Sequence, residues 1–292
     1  MRSVVKKVLF ILIFFGSITA VTVLTYISND CLTTVSYRLA SDSVDRTIRI
    51  VQVSDLHNHV FGTENSSLVA EIRKASPDLI FMTGDMLNQD DQNISVILDL
   101  IPQLKAIAPV YYSMGNHEVA YEKTFSVDLE SQLSAAGAEV LDFSYREVVV
   151  KGNPLRIGGL YGYCLPNTVE EAKDRVPESE FLKEFQNTEV LTLLLCHMPV
   201  SWIDYGSLEA WDIDFIFAGH AHGGQVRIPG IGGLYAPDQG WFPGDVFGIY
   251  SSENGDHSLI ISAGLGSSGL IPRFHNIPEI VILDIVPHTV KN

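Results

Sequence analysis

Cysteine is scarce in this chain: Cys31, Cys164 and Cys196 are the whole supply in 292 residues, no two stand in CxxC spacing, and an odd total cannot pair completely within one molecule. Disulfides therefore do not define the fold. Positive charge is scarce as well. Nineteen Lys and Arg stand against thirty-five Asp and Glu, a formal net charge of −16, which repels polyanions unless bound cations reverse the sign locally. Nucleic acid is thus a poor candidate partner, and a phosphate-handling site here needs metal. No GxxxxGK[ST] run occurs, so a P-loop is not indicated. Internal linkers, low-complexity tracts and charge blocks are also missing beyond the N-terminal region, and with 46% hydrophobic residues the chain can bury one sizeable core.

What the N-terminus has in abundance is apolar length. Arg2, Lys6 and Lys7 precede a nearly unbroken apolar run from Val8 to Ile27, about twenty residues, the length that crosses a bilayer's hydrocarbon core as a helix. Basic residues lie on its N-terminal side and none follows until Arg38, so the positive-inside rule predicts a cytoplasmic N-terminus and an extracytoplasmic remainder. The competing reading is a cleaved signal peptide with small residues at Gly16, Ser17 and Ala20, although the run exceeds a usual h-region of roughly 7 to 15 residues. The expected organisation is a cytoplasmic tip and membrane anchor over 1–28, a linker and first strand over 29–46, and a catalytic domain over 47–287.

Beyond the anchor, strand-like and helix-like segments alternate, which predicts a layered α/β domain. Thr47 to Val53 reads as a strand, Leu68 to Ala75 as a helix, Asp78 to Met82 as a strand, Ile94 to Ala106 as a helix, Val110 to Ser113 as a strand and Thr124 to Ala136 as a helix. The second half continues in the same style. Val148 to Val150 and Leu155 to Leu160 read as paired strands, Val169 to Phe185 as a helix, and Val190 to Cys196 and Phe215 to Ala218 as buried strands. Three β-rich pieces, Val246 to Tyr250, Ser258 to Ser262 and Ile280 to Ile285, close the chain among frequent Gly and Pro.

Five of these strands end in polar residues: Asp55 and His57, Asp85, Asn116 and His117, His197, and His220 with His222. Residues just past strand C-termini converge on one crevice in open α/β sheets. Two Asp, an Asn amide oxygen and several His form a mixed O/N donor set without thiolate, which suits Mn, Fe or Zn better than Ca or Mg. The donors outnumber the needs of one ion, and a shared carboxylate can hold two cations about 3.5 to 4 Å apart.

The ordered blocks Asp55-Leu56-His57, Gly84-Asp85, Gly115-Asn116-His117-Glu118, His197 and Gly219-His220-Ala221-His222 resemble the calcineurin-like metallophosphoesterase superfamily. Ser54-Asp55-Leu56-His57, the stretch from Ala218 to Gln225 and Gly264 to Gly269 are similar to its bacterial membrane-anchored branch. Some members of that branch hydrolyse UDP-diacylglucosamine-type pyrophosphates or other phosphodiesters. The resemblance implies a four-layer αββα sandwich with two mixed sheets, and a pair of divalent ions, Mn favoured. Asp55, His57 and His222 would hold the first ion, Asp85 would bridge, and Asn116, His197 and His220 would hold the second. No further cofactor-binding residues are expected. The reaction it implies is hydrolysis of a phosphodiester or phosphoanhydride by a hydroxide that the two ions make available near neutral pH. His117 would stabilise or protonate the leaving group. The expected substrate is a phosphate-bearing small molecule or a lipid-linked envelope component. A phosphomonoesterase, a nucleotide phosphodiesterase or a non-catalytic metal-dependent sensing domain are the alternatives.

One position departs from the pattern: many relatives carry an acidic residue three places after the bridging aspartate, orienting the catalytic histidine, and here that place is Asn88. Glu118 reads equally as support for the ligands or as plain surface. His59, His257 and His288 read as surface residues, Cys196 as core, and the glycines at 223–224 and 264–269 as turn formers. Arg273 and His275 lie on a loop that could reach the substrate, and Trp241-Phe242-Pro243 could form an apolar lip facing lipid.

Overall fold

The computed structural model describes residues 2–162, 178–267, 269 and 271–288. Helix α1 (Arg2–Asp30) carries the apolar run and projects it without cover: Val8, Phe10, Leu12 and Phe15 are all exposed. It has no polar face, and its window of highest hydropathy is wholly unburied. A helix with this composition is stable in water only if something apolar covers it.

The body is built from two six-stranded mixed sheets. The first contains β1 (Thr33–Ser41), β2 (Ile48–Val53), β3 (Leu79–Thr83), β4 (Val110–Ser113), β5 (Glu139–Val140) and, from the chain's end, β16 (Glu279–Pro287). Its order is β1-β16-β2-β3-β4-β5, with β2 to β5 mutually parallel and β16 antiparallel to β2. The second contains β6 (Ser144–Val150), β7 (Asn153–Leu160), β8 (Leu191–Cys196), β9 (Phe215–Ala218), β14 (Gly248–Ser251) and β15 (Ser258–Ile261), in the order β14-β15-β9-β8-β7-β6. Between β9 and β14 lie two small hairpins, β10 (Arg227–Ile228) with β11 (Gly232–Gly233), and β12 (Tyr235–Ala236) with β13 (Gly240–Trp241).

Period-two alternation divides each buried strand between two cores. Ile50, Leu79 and Phe81 face Leu193, Leu195 and Phe217 between the sheets. Their neighbours Val51, Ile80 and Met82 face outward under α2 (Ser66–Ala75) and α3 (Ser95–Lys105). On the far side, Leu194, Ile216 and Ala218 pack under Trp202, Trp211 and helix α6 (Glu178–Phe185). This is the expected four-layer sandwich, preceded by one apolar helix.

The expected helix over Thr124 to Ala136 is instead two: α4 (Asn116–Phe125) and α5 (Leu129–Ala136). Ser126 takes a left-handed conformation that ends α4, and Asp128 caps α5 by accepting from Ser131 N at 2.9 Å. Helix α4 escapes a hydrophobic-periodicity reading because the side it buries includes Glu118 beside Tyr121. The expected helix from Val169 lies outside the described residues up to 177, as does Cys164.

Candidate metal centre

The C-terminal ends of β2, β3 and β4 in one sheet and of β8 and β9 in the other meet along one edge of the sandwich. Gln52 ties the halves together there, donating to Ala218 O at 2.8 Å and Thr83 Oγ1 at 3.0 Å. Asp55, His57, Asp85, His220 and His222 all have positive φ, a conformation uncommon outside glycine that persists only where surrounding contacts impose it. Those contacts are visible. Asp55 N donates to Gly84 O, His57 N to Asp85 O, Gly219 N to His197 O, and His220 N to the Asp55 carboxylate. Gly115 is required where it stands, because a β-carbon there would collide with the Asp85 carboxylate.

Three sets of donor atoms converge within 4.8 Å: Asp55, His57 and His222; Asp85, His197 and His220; and His57, Asp85 and His117. Asp85 belongs to two of them, with Oδ2 3.2 Å from His197 Nε2 and 3.9 Å from His57 Nε2. On the other side, His222 Nε2 lies 3.6 Å from Asp55 Oδ1 and 3.3 Å from His57 Nε2. Asn116 starts α4 beside them, and its Oδ1 is buried with no hydrogen-bond partner among the described residues. All eight positions expected from the sequence thus come to one place.

Hydrogen bonds on the outer ring atoms fix where three of the histidines present a lone pair. His57 Nδ1 faces Asn88 Oδ1 at 3.1 Å, His197 Nδ1 faces Thr83 O at 2.6 Å, and His220 Nε2 faces Asp238 Oδ2 at 3.0 Å. Each partner is an acceptor, so each of those nitrogens carries hydrogen and the other nitrogen of a neutral ring turns its lone pair inward, where a cation could take it. Burial pushes His57 and His222 down to about 3, which keeps them neutral. Burial opposes a charge on His197 too, but Asp85 and Asp55 outweigh it and raise that ring to about 10. Asp85 would be raised by burial, yet His197 and His57 hold it well below the carboxylate range. Without a cation, a proton on His197 does the neutralising. Converging lone pairs, an orphaned amide oxygen and a fully buried carboxylate are what a divalent-metal site requires, and the donor set fits.

Glu118 is part of this structure and not a surface residue. It is fully buried, and its carboxylate accepts from Asp85 N at 2.7 Å, Met86 N at 2.8 Å, Gly115 N at 2.8 Å and Tyr112 Oη at 2.7 Å. It locks the loop after β3 to the start of α4, and His117 N completes the tie by donating to Asp85 Oδ1 at 2.8 Å. Asn88 is reassigned as well. It orients His57, donating back to His57 O at 3.0 Å, and the histidine it was expected to orient, His117, instead accepts at Nδ1 from Gln89 N at 3.2 Å. The neutral His117 ring therefore carries its hydrogen on Nε2.

The other candidates fall outside the centre. The Arg273 guanidinium cannot reach a substrate: it is buried and donates to Ala263 O, Gly266 O, Asn276 O and Asn276 Oδ1. Cys196 is a core thiol pushed up to about 12 by burial and capped by Trp202 Nε1. His257 and His288 pair with Asp212 and Asp42. His59 is half-buried, packed at a tilt against Phe61 and 3.9 Å from Asp30, so it is less a surface residue than expected. Two contributors carried no local signal. Asp238 resembles any turn aspartate in Pro237-Asp238-Gln239-Gly240, and Asn276, which donates to His222 O at 2.7 Å, lies 54 residues away from it.

Comparison with known proteins agrees with this geometry. The profile of the calcineurin-like phosphoesterase family matches residues 48–224. The metallophosphoesterase YkuE of Bacillus subtilis is 26% identical over 242 residues, covering 81% of this chain and 78% of that protein. Phosphodiesterase YaeI of Escherichia coli is 29% identical over 253 residues, covering 82% of each. The UDP-2,3-diacylglucosamine pyrophosphatase LpxG of Chlamydia muridarum is 25% identical over 283 residues, covering 81% of this chain and 83% of that protein.

Proposed function

Because the chain belongs to the calcineurin-like phosphoesterase family and is a metallophosphoesterase, we propose that it hydrolyses a phosphodiester or phosphoanhydride bond in a lipid-linked or other envelope substrate at a membrane surface. The observation that carries this reading is that Asp85 groups with His197 and His220 on one side and with His57 and His117 on the other, while His57 also groups with Asp55 and His222. Asp55, His57 and His222 would hold one divalent ion, Asn116, His197 and His220 would hold another, and Asp85 would serve both. Mn, Fe or Zn suit these ligands, and Mn is favoured. When bound, the ions supply Lewis acidity and positive charge to a phosphate that a chain of net charge −16 otherwise repels.

The remaining work falls to side chains. His117 holds a proton on Nε2 at the edge of the cluster, over an open groove lined by Asn88, Gln89, Asp90 and Asp91. From there its Nε2–H donates hydrogen bonds to a phosphoryl oxygen and to the departing one, stabilising the charge that develops there while the proton stays on the ring. Asn88, Asp238 and the Thr83 carbonyl keep three ligand rings in one tautomer and one orientation, so little reorganisation accompanies reaction. The names of YaeI as a phosphodiesterase and of LpxG as a pyrophosphatase of a lipid-linked sugar nucleotide support the bond type and the substrate class. Helix α1 supports the location, as a single-pass anchor with its N-terminus in the cytoplasm and the catalytic domain on the other side.

The test is turnover by the full-length protein loaded with Mn, on an aryl phosphodiester, an aryl phosphomonoester, a nucleotide and a diacylated UDP-sugar. Preferential cleavage of the diacylated pyrophosphate or the diester is expected. Preference for the monoester or the nucleotide overturns the substrate class, and inactivity on the whole panel with Mn, Fe and Zn overturns the reading.

A further inference from the structure

We infer that the catalytic domain itself enters the membrane interface, through the β12–β13 hairpin and the 271–272 loop, and so seats the metal centre against the phospholipid surface. This rests on the reading of α1 as a membrane anchor. The end of that helix does not lead into a free linker. Ser28 Oγ accepts from His275 N at 2.8 Å, and Asn29 pairs with the backbone of Arg273 in both directions, at 3.1 and 2.9 Å. Pro272 shares a groove with Val21, Thr22, Thr25, Tyr26 and Asn29. Val21 lies six residues before Ile27, about 9 Å along a helix axis, so the loop reaches back along the apolar run instead of stopping at its end.

The adjoining surface is apolar where water would disfavour it. Ile271 is 56% exposed beside that groove. The segment after it pairs with the first hairpin, since Arg227 N donates to Phe274 O at 3.0 Å. The second hairpin follows directly and presents Tyr235, Trp241 and Phe242, the last two 67% and 60% exposed, with Ile231 at the tip of the first. Phe242 is held outward in a left-handed conformation, a rare backbone state for a bulky residue, by its N–H on Leu234 O. Exposed aromatic and aliphatic residues of this kind, on hairpins joined through Phe274 to the loop that grips α1, match the headgroup and acyl boundary, where Trp and Tyr are enriched.

Both elements also bracket the reaction site. Asp238, in the turn of the β12–β13 hairpin, holds ligand His220, while Asn276, four residues past Pro272, holds the backbone of ligand His222. A surface that places these two elements on the bilayer brings the metal centre within reach of a phosphate in the headgroup layer. The excess of acidic residues makes apolar insertion, not attraction to anionic lipid, the means of contact.

Tryptophan supplies a native probe, because Trp202 and Trp211 are 1% and 2% exposed and Trp241 is the third and last. Full-length protein is reconstituted in phosphatidylcholine vesicles whose acyl chains carry bromine near the headgroup end, and its emission is compared with that of the Trp241→Phe variant. Shallow bromine is expected to quench the Trp241 contribution, up to one-third of the emission of three tryptophans, and bromine at the methyl end to quench it less. A Trp241 signal that brominated chains leave unchanged overturns the inference. An alkaline carbonate wash of the same vesicles judges the anchor separately: release of the full chain overturns the anchor and the inference with it, whereas retention with unquenched Trp241 overturns the interfacial surface alone.

Discussion

Glu118→Gln retains the size and shape of a buried side chain while replacing one acceptor oxygen by a donor. In the native protein, Oε2 accepts from Asp85 N and Gly115 N, and Oε1 accepts from Met86 N and the Tyr112 hydroxyl. The amide does least harm with its NH2 at the Oε1 position, where the hydroxyl can turn and accept but Met86 N–H cannot. One buried donor is then orphaned, costing about 1–3 kcal/mol. The surviving bonds also fall from charge-assisted to neutral, roughly half as strong. Removing a buried charge offsets part of this, so a net loss of about 2–4 kcal/mol is expected, against an ordinary stability of about 5–15 kcal/mol. The variant should therefore fold. Because the displaced N–H belongs to Met86, the residue next to Asp85, the Asp85 carboxylate is expected to shift, and Mn occupancy to fall together with turnover. Urea unfolding in chelator measures the first effect, and metal analysis of the Mn-loaded protein the second. A stability loss under about 0.5 kcal/mol with full Mn content would refute the view that Glu118 sets the position of the ligand loops.

Three other outcomes are expected. His117→Asn leaves metal content unchanged and slows turnover on an aryl phosphodiester by about 10²- to 10³-fold, the usual worth of a positioned hydrogen-bond donor to developing charge; loss of metal from that variant reassigns His117 to the ligands. Gly219→Ala drives a β-carbon into Ser54 Oγ and the Asp55 carboxylate, so the purified variant should bind less Mn even where circular dichroism shows a native fold, and unchanged binding contradicts the packing described. In metal-free protein, His197 is raised from 6.5 to about 10, chiefly by Asp85 against the opposing effect of burial, so the stability it contributes is complete below pH 6.5 and is lost as pH rises through 10. His57 and His222, lowered by burial to about 3, contribute stability that is lost as pH falls from 6.5 toward 3. The urea midpoint of chelated protein should accordingly peak near pH 6.5, and Mn affinity should climb with pH above it as His197 releases its proton; a midpoint flat from pH 4 to 9 speaks against both assignments.

Much of this architecture is written in short-range patterns. A strand such as Val190 to Cys196 shows itself by its unbroken apolar run, and the polar residues that follow it are placed by chain continuity at the strand's C-terminal end. Period and adjacency are local properties, so the strand ends, and the placing there of Asp55 with His57 and of His220 with His222, were legible without coordinates. The apolar run in α1 is equally self-evident, being a matter of length and composition.

Tertiary structure alone decided how the candidate ligands are held. Asn88 serves His57 and not His117, Glu118 joins two loops and not the solvent, and Arg273 spends its donors on carbonyls 10 or fewer residues away instead of on substrate. Asp238 reaches a ring 18 residues distant, and Asn29 meets a backbone 244 residues distant. Such partners are chosen by where loops of separate strands come to lie, which depends on twist, packing and the left-handed turns at Asp55, Asp85 and His222. A residue's type says which hydrogen bonds it can make; only the fold says which groups stand close enough to receive them, because the energy of a hydrogen bond vanishes within an ångström or two of its ideal length while the chain carries no local record of distance.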